Sequence, residues 1–272
     1  MRRTNLTYLV LLLGFKIEEW IGDMAKYKRT VRGGRLAATV LYTKPQAGDT
    51  KPSRAAKSRA TTQARRALNL KQSRQKLEFT IAANFTGQDH HLVLTFDDEH
   101  LPENRAGVIA CFRRFVRLLR AYRQKNHLPN VKYIYAIECK HGEGRFHIHV
   151  IINAASLFQS DLESYCSLWE YGTQVDVSLL YDRENTDADV LARYLTKERE
   201  DGKPVGAKSW VGSRNLEQPE ETHEYVNDAE ELHVPVGCIV LERKEDMNEF
   251  GSFAYIKYLY PDLEVTRNKR RR

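Results

Sequence analysis

The sequence has little that would cross-link it, anchor it or let it hydrolyse nucleotides. Its four cysteines (Cys111, Cys139, Cys166, Cys238) are scattered, and no two form a CxxC pair. That argues against a disulfide scaffold and against a thiolate zinc site, and it fits reduced packing residues in a cytosolic protein. The apolar run Leu6–Phe15 is too short to span a bilayer, so no membrane role is expected. Arg2-Arg3 before that run resembles the start of a signal peptide, but no small-residue cleavage site follows before Lys26. Because Met24 begins a second plausible start, residues 1–23 are read as an upstream extension. The stretch Gly202-Lys203-Pro204-Val205-Gly206-Ala207-Lys208-Ser209 lacks the GxxxxGK[ST] spacing, which excludes a P-loop ATPase. There is no internal repeat.

What is present is a charge asymmetry. The 272 residues carry a net charge of +7, yet residues 24–78 hold 15 Lys/Arg against 2 Asp/Glu, and residues 79–272 hold 25 against 31. Basicity is therefore a property of one segment, and it predicts a polyanion-binding arm over residues 24–80. Gly33-Gly34, Pro45 and Pro52 are expected to break any long element in residues 26–52. Residues 53–79 have no Gly or Pro and favour a helix. Few of its positions are apolar before Leu68, so it is expected to order only on nucleic acid. Residues 217–234 have seven acidic residues and no Lys/Arg, and read as a solvated insertion. Residues 261–272 form a basic tail.

Between these lies an alternation of strands and helices. His91–Phe96 reads as the first core strand. A helix runs from about Asn104 to Asn126, with Val108, Cys111, Phe112, Phe115, Leu119 and Tyr122 on one stripe. Arg113, Arg117, Arg120 and Arg123 lie off that stripe, the usual place for a solvated face. Tyr133–Glu138 and Phe146–Ile152 read as a hairpin, followed by a helix over Phe158–Trp169, a strand over Gln174–Leu180 and a helix from about Val190 to Arg199. Gly237–Glu242 and Phe253–Tyr258 read as a closing hairpin.

The informative stretch is Gly144-Arg145-Phe146-His147-Ile148-His149-Val150-Ile151-Ile152. Side chains alternate along a strand, so His147, His149 and Ile151 share one face, and Phe146, Ile148, Val150 and Ile152 share the apolar face taken as the core. A turn at Gly142-Glu143 puts Glu138 opposite His147 and Ala136 opposite His149. Cross-strand neighbours lie about 5 Å apart at Cβ, so a carboxylate and two imidazoles can converge on one metal ion. His141 and Glu143 are alternative third ligands. HxH alone is common by chance; the opposed glutamate makes it a metal-site candidate.

In Val190-Leu191-Ala192-Arg193-Tyr194-Leu195-Thr196-Lys197, Tyr194 and Lys197 stand at i,i+3 on one helix face. A free phenol, with a pKa near ~10, needs a nearby cation to react as phenolate. YxxK by itself is a weak signal.

Leu92-Val93-Leu94-Thr95-Phe96, His147-Ile148-His149 and Tyr194-Leu195-Thr196-Lys197 occur in this order. Together they resemble the three motifs of rolling-circle replication initiators of the HUH endonuclease superfamily, most nearly those of small single-stranded DNA bacteriophages and prophages. Phe85, the run Asp98–Pro102 and Ser213-Arg214-Asn215-Leu216 add to the likeness. The resemblance implies an α+β fold: a central antiparallel sheet of about five strands with flanking helices over residues 81–260, preceded by the basic helical arm. It implies His147, His149 and Glu138 as ligands of Mg²⁺ or Mn²⁺, Tyr194 as the nucleophile of a 5′-phosphotyrosine link, and Lys197 as its assistant. Glu198 stands one turn after Tyr194, so a single-tyrosine enzyme is expected. Arg54, Lys57, Arg59, Arg65, Arg66, Lys71, Lys208 and Arg214 would hold single-stranded DNA at a replication origin. A host helicase and polymerase would be partners, in the cytoplasm of a bacterial host. The competing readings are a non-enzymatic single-stranded nucleic-acid-binding protein and a relaxase or transposase of the same superfamily.

Overall fold

A computed structural model describes residues 24–45, 63–139, 145–180, 188–196, 208–227, 229–248 and 251–261. Their α+β fold has two five-stranded antiparallel sheets and four helices, in two compact units. Among the described residues no helix is long and apolar enough to cross a membrane.

The first unit is a sheet formed by β1 (Met24–Gly33), β2 (Leu36–Pro45), β8 (Glu220–Val226), β9 (Ile239–Asn248) and β10 (Gly251–Leu259). Its strand order is β8-β1-β2-β10-β9. Gly33-Gly34 and Pro45 break the segment as expected: the chain turns between two ten-residue strands at the glycines, with Gly34 at φ +56°, a conformation glycine adopts without Cβ strain, and the second strand ends at Pro45. One face of the sheet buries Ala37, Leu41, Ile256 and Tyr258 beneath Leu232. The basic arm and the acidic insertion of the sequence meet here. Lys28 Nζ lies 3.2 Å from carboxylates of both Glu224 and Glu230, Arg29 pairs with Glu221, and Lys26 donates to the Glu230 carbonyl. Part of the positive charge assigned to nucleic acid is thus balanced within the sheet. Exposed pairs of this kind contribute at most about 1 kcal/mol each.

The second unit carries the expected central sheet. Its strands are β3 (His90–Thr95), β4 (Tyr133–Cys139), β5 (Phe146–Ile152), β6 (Val175–Leu179) and β7 (Val211–Gly212), in the order β6-β3-β5-β4-β7. The β4–β5 register is the expected one, with Glu138 opposite His147 and Ala136 opposite His149. The connecting turn, with His141 and Glu143, lies outside the described residues. Helix α1 spans Gln63–Asn84, α2 Arg105–Lys125, α3 Phe158–Leu168 and α4 Ala188–Leu195.

Both sheet faces are covered, where alternation in the sequence predicts a single core face. On one face Leu92, Leu94, Ile148, Val150 and Ile152 pack against Phe112, Phe115 and Leu119 of α2 and Tyr165 of α3. Helix α2 starts at Asn104, whose side chain accepts from the backbone N–H groups of Ala106 and Gly107. On the other face Ile134, Ala136 and Ile151 meet Leu77 and Ile81 of α1 and Ala188, Ala192 and Leu195 of α4. The apolar residues on the histidine face are few but enough for two helices to bury. Composition alone has α1 ordering only on nucleic acid; Leu77 and Ile81 instead make its second half part of the packing.

Candidate active site

The site sits where three neighbouring strands present polar residues to one face. Strand β5 supplies His147 and His149, β4 supplies Glu138, and β3 supplies His91, since Val93 lies opposite His149 and Thr95 opposite His147. Alternation does the positioning: in a central strand every second side chain is committed to this face by the burial of the others.

Glu138 and His149 make the closest contact, with Oε2 2.6 Å from Nε2. Both side chains are nearly enclosed, at 12% and 6% exposure, so the hydrogen bond is shielded from water. His147 lies at the edge of the site and is half-buried. His91 stacks on His149 with ring centroids 5.6 Å apart and planes within 4° of parallel. Burial, and secondarily the neighbouring His149, lower the His91 pKa to about 4, so it is neutral at pH 7. Its ring is therefore an uncharged platform that limits how His149 can turn.

Sequence reasoning places His91 in the first core strand but does not single it out as a site residue. Alternation with Val93 and Thr95 is the available signal. That signal cannot identify the neighbouring strand, because a long stretch of chain, including all of α2 and β4, separates β3 from β5.

The donor set suits a divalent cation chemically: two imidazoles and a carboxylate are borderline and hard ligands. As the side chains stand, no cluster of three His, Cys, Asp or Glu among the described residues is arranged to hold a metal. The bond between Glu138 and His149 closes the space between them. At 2.6 Å the facing atoms are closer than two ligands sharing one ion would be, so an ion could be held only after they separate.

The rest of the expected set is distributed as follows. Tyr194 is in α4, whose Ala188, Ala192 and Leu195 pack against Ala136 and Ile151 on the histidine face. Thr196, just beyond α4, accepts from Arg74 Nε at 3.2 Å and ties α4 to α1. Lys197, Arg54, Lys57 and Arg59 lie outside the described residues. Arg65 and Arg66 are in the first turn of α1, and Lys71, Lys208 and Arg214 are exposed.

The end of the sheet nearest His147 is braced. Trp169 Nε1 donates to the Thr95 carbonyl at 2.7 Å, and Thr95 Oγ1 donates to the Gln174 carbonyl at 2.8 Å. Gly172 allows a close approach there: an added Cβ would lie 2.3 Å from the Thr95 carbonyl oxygen. Arg145 pairs with Asp98 and donates to the Phe96 carbonyl.

Residues 89–199 match a family of replication-associated proteins, the ORF2 type. The matched stretch contains β3 to β6 and helices α2 to α4, and with them His91, Glu138, His147, His149 and Tyr194. This part of the chain is therefore similar to replication-associated proteins, which supports a replication-initiator family for it. No curated protein and no solved structure matches the chain significantly.

Proposed function

We propose that the second unit is an HUH-type endonuclease and strand transferase, which nicks single-stranded DNA at a phage or prophage origin to start rolling-circle replication. The observation that carries this reading is the packing of α4 on the sheet face of His147, His149 and Glu138. Phosphodiester transfer requires a nucleophile brought to such a face, and α4 is the helix that carries Tyr194 in sequence.

In this reading Tyr194 Oη attacks the scissile phosphorus and the 3′-oxygen leaves, giving a 5′-phosphotyrosine and a free 3′-hydroxyl. The phenolic proton passes to solvent or to a base, and Lys197 steadies the charge on phenolate and phosphate. His147, His149 and Glu138 would hold Mg²⁺ or Mn²⁺, which when bound would polarise a non-bridging phosphate oxygen. Stacking on His91 limits how the His149 ring can turn, and Glu138 would exchange its hydrogen bond to His149 Nε2 for the ion. The phosphotyrosine ester keeps the energy of the broken phosphodiester, so the same site rejoins ends without ATP. With no P-loop in the chain, strand separation falls to a host helicase.

The test is incubation of the protein with single-stranded origin DNA and Mn²⁺, comparing wild type with Tyr194→Phe. A covalent adduct mapped by mass spectrometry to Tyr194, absent in the variant, is expected. Binding without any adduct in the wild type would instead support a non-enzymatic single-strand binder, and an adduct on another tyrosine would overturn the assignment.

A further inference from the structure

Helix α2 carries a cationic row that the cleavage site does not use. Over Arg105–Lys125 the helix has seven Lys/Arg and no Asp/Glu. Arg123 is buried and committed to the interior, donating to Asn153 and to the Tyr165 hydroxyl, and Arg114 pairs with Glu170. Of the other five, Arg105 and Lys125 stand at the two ends of the helix, and Arg113, Arg117 and Arg120 lie along its middle. All three are exposed, on the side opposite Phe112, Phe115, Val116 and Leu119. Among the described residues none of the three forms an ion pair, although Arg120 also lies over the Tyr133 ring, 5.9 Å from its centroid.

An ordinary solvated helix face mixes signs, because like charges at i,i+3 and i,i+4 repel. Here Arg113 and Arg117 are at i,i+4, and Arg114, Arg117 and Arg120 are at successive i,i+3 spacings, with no intervening acid. The axial steps from Arg113 to Arg117 and from Arg117 to Arg120 are about 6 and 4.5 Å. Guanidinium groups anchored at such spacing on one helix can each reach a phosphate along a strand.

The topology connects this row to the site. Thr95, the last residue of β3, lies opposite His147, and the chain leads from there into the first turn of α2. The helix thus begins at the site end of the sheet, with Arg105 in its first turn, and runs back along the other face.

We infer that the outer face of α2 is a second DNA contact, in which Arg113, Arg117 and Arg120 track the phosphates of the single strand that continues past the scissile bond. This rests on the nuclease reading and deepens it by assigning a course to the DNA outside the cleavage site, so that the strand wraps the end of the sheet. Recognition is by charge and not by base, so it should be strongly salt-dependent and indifferent to sequence.

The test compares wild type with the triple variant Arg113→Gln/Arg117→Gln/Arg120→Gln, which keeps good helix formers at all three positions. Fluorescence anisotropy is measured over a salt series with two single strands and with the duplex form of the longer one. One is roughly 8 nucleotides and crosses only the site; the other is roughly 30 and continues beyond it. On the long strand the log–log salt slope should fall by about 2 in magnitude, from three lost phosphate contacts at about 0.7 each. On the short strand affinity and nicking should be unchanged, and the Arg→Lys triple variant should restore the long-strand slope. An unchanged long-strand slope in the Gln variant overturns the inference. A slope change confined to duplex DNA overturns the single-strand assignment. If the Gln variant loses the long-strand slope but the wild type does not cleave, the nuclease reading fails, and the course past a scissile bond fails with it, while α2 is kept as a single-strand contact.

Discussion

The two faces of the second sheet are built from one set of strands but to different ends. The α2/α3 face is lined by large side chains: Leu92, Leu94, Ile148 and Val150 meet Phe112, Phe115, Leu119 and Trp169. The α1/α4 face includes the small residues Ala136, Ala188 and Ala192, and the strands present His91, His149 and Glu138 to it. His90 and His91 show the contrast within one dipeptide. His90 points to the large face, where Nδ1 lies 3.1 Å from the Tyr165 hydroxyl near the buried Arg123 and Asp161. His91 points the other way and stacks on His149. The first face holds the unit together; the second gives up apolar area to bring ionisable groups into one enclosed place.

The sharpest way to separate the faces is to remove a polar group from the small one. His149→Ala should lower nicking of single-stranded DNA by at least about a hundredfold, with a smaller loss of stability because Glu138 loses its shielded partner, so nicking is compared below the variant's melting temperature. If cleavage persists, the small face is not the active face. Next comes a deletion on the large face. Phe112→Ala should cost about 3–5 kcal/mol in urea unfolding, because a fully buried ring leaves a cavity that α2 cannot close. At low denaturant the folded fraction should still bind DNA.

The third prediction uses pH. Burial lowers the proton affinity of both His90 and His91, the latter to about 4. The unfolded chain therefore binds more protons than the folded one below the ordinary histidine pKa of about 6.5. Stability should be full above that value and fall as pH drops towards 4, with His91 alone accounting for up to about 3 kcal/mol. Urea midpoints at a series of pH values would show it. His91→Phe should flatten the profile, and an unaltered profile would mean that His91 is not held neutral by the fold. The smallest effect is at the cap of α2: Asn104→Ala should cost about 1 kcal/mol in thermal unfolding and leave nicking as it was.

Much of the second unit is legible in the sequence. The hairpin register follows from alternation in Tyr133–Glu138 and Phe146–Ile152, because a one-residue slip would expose Ile148 and Val150. The long helix follows from the spacing of Val108, Phe112, Phe115 and Leu119. The first sheet is legible only in part: the closing hairpin is its β9–β10 pair. β1 carries four cations and β2 one, and both are completed by pairing with β8 and β10, which come from the far end of the chain. The acidic partners of Lys28 and Arg29 come from that distant segment too, so each charge run reads as solvated when taken alone.

The chain's local order determined which residues share a side: two-residue periodicity puts His147 with His149, and 3.6-residue periodicity puts Arg113 with Arg117 and Arg120. Tertiary structure decided which sides meet. Sheet pairing brought His91 beside His149, and packing laid α4 over the same face. Contacts between segments far apart in sequence depend on the joint burial of both surfaces, and they leave no periodic trace in either one.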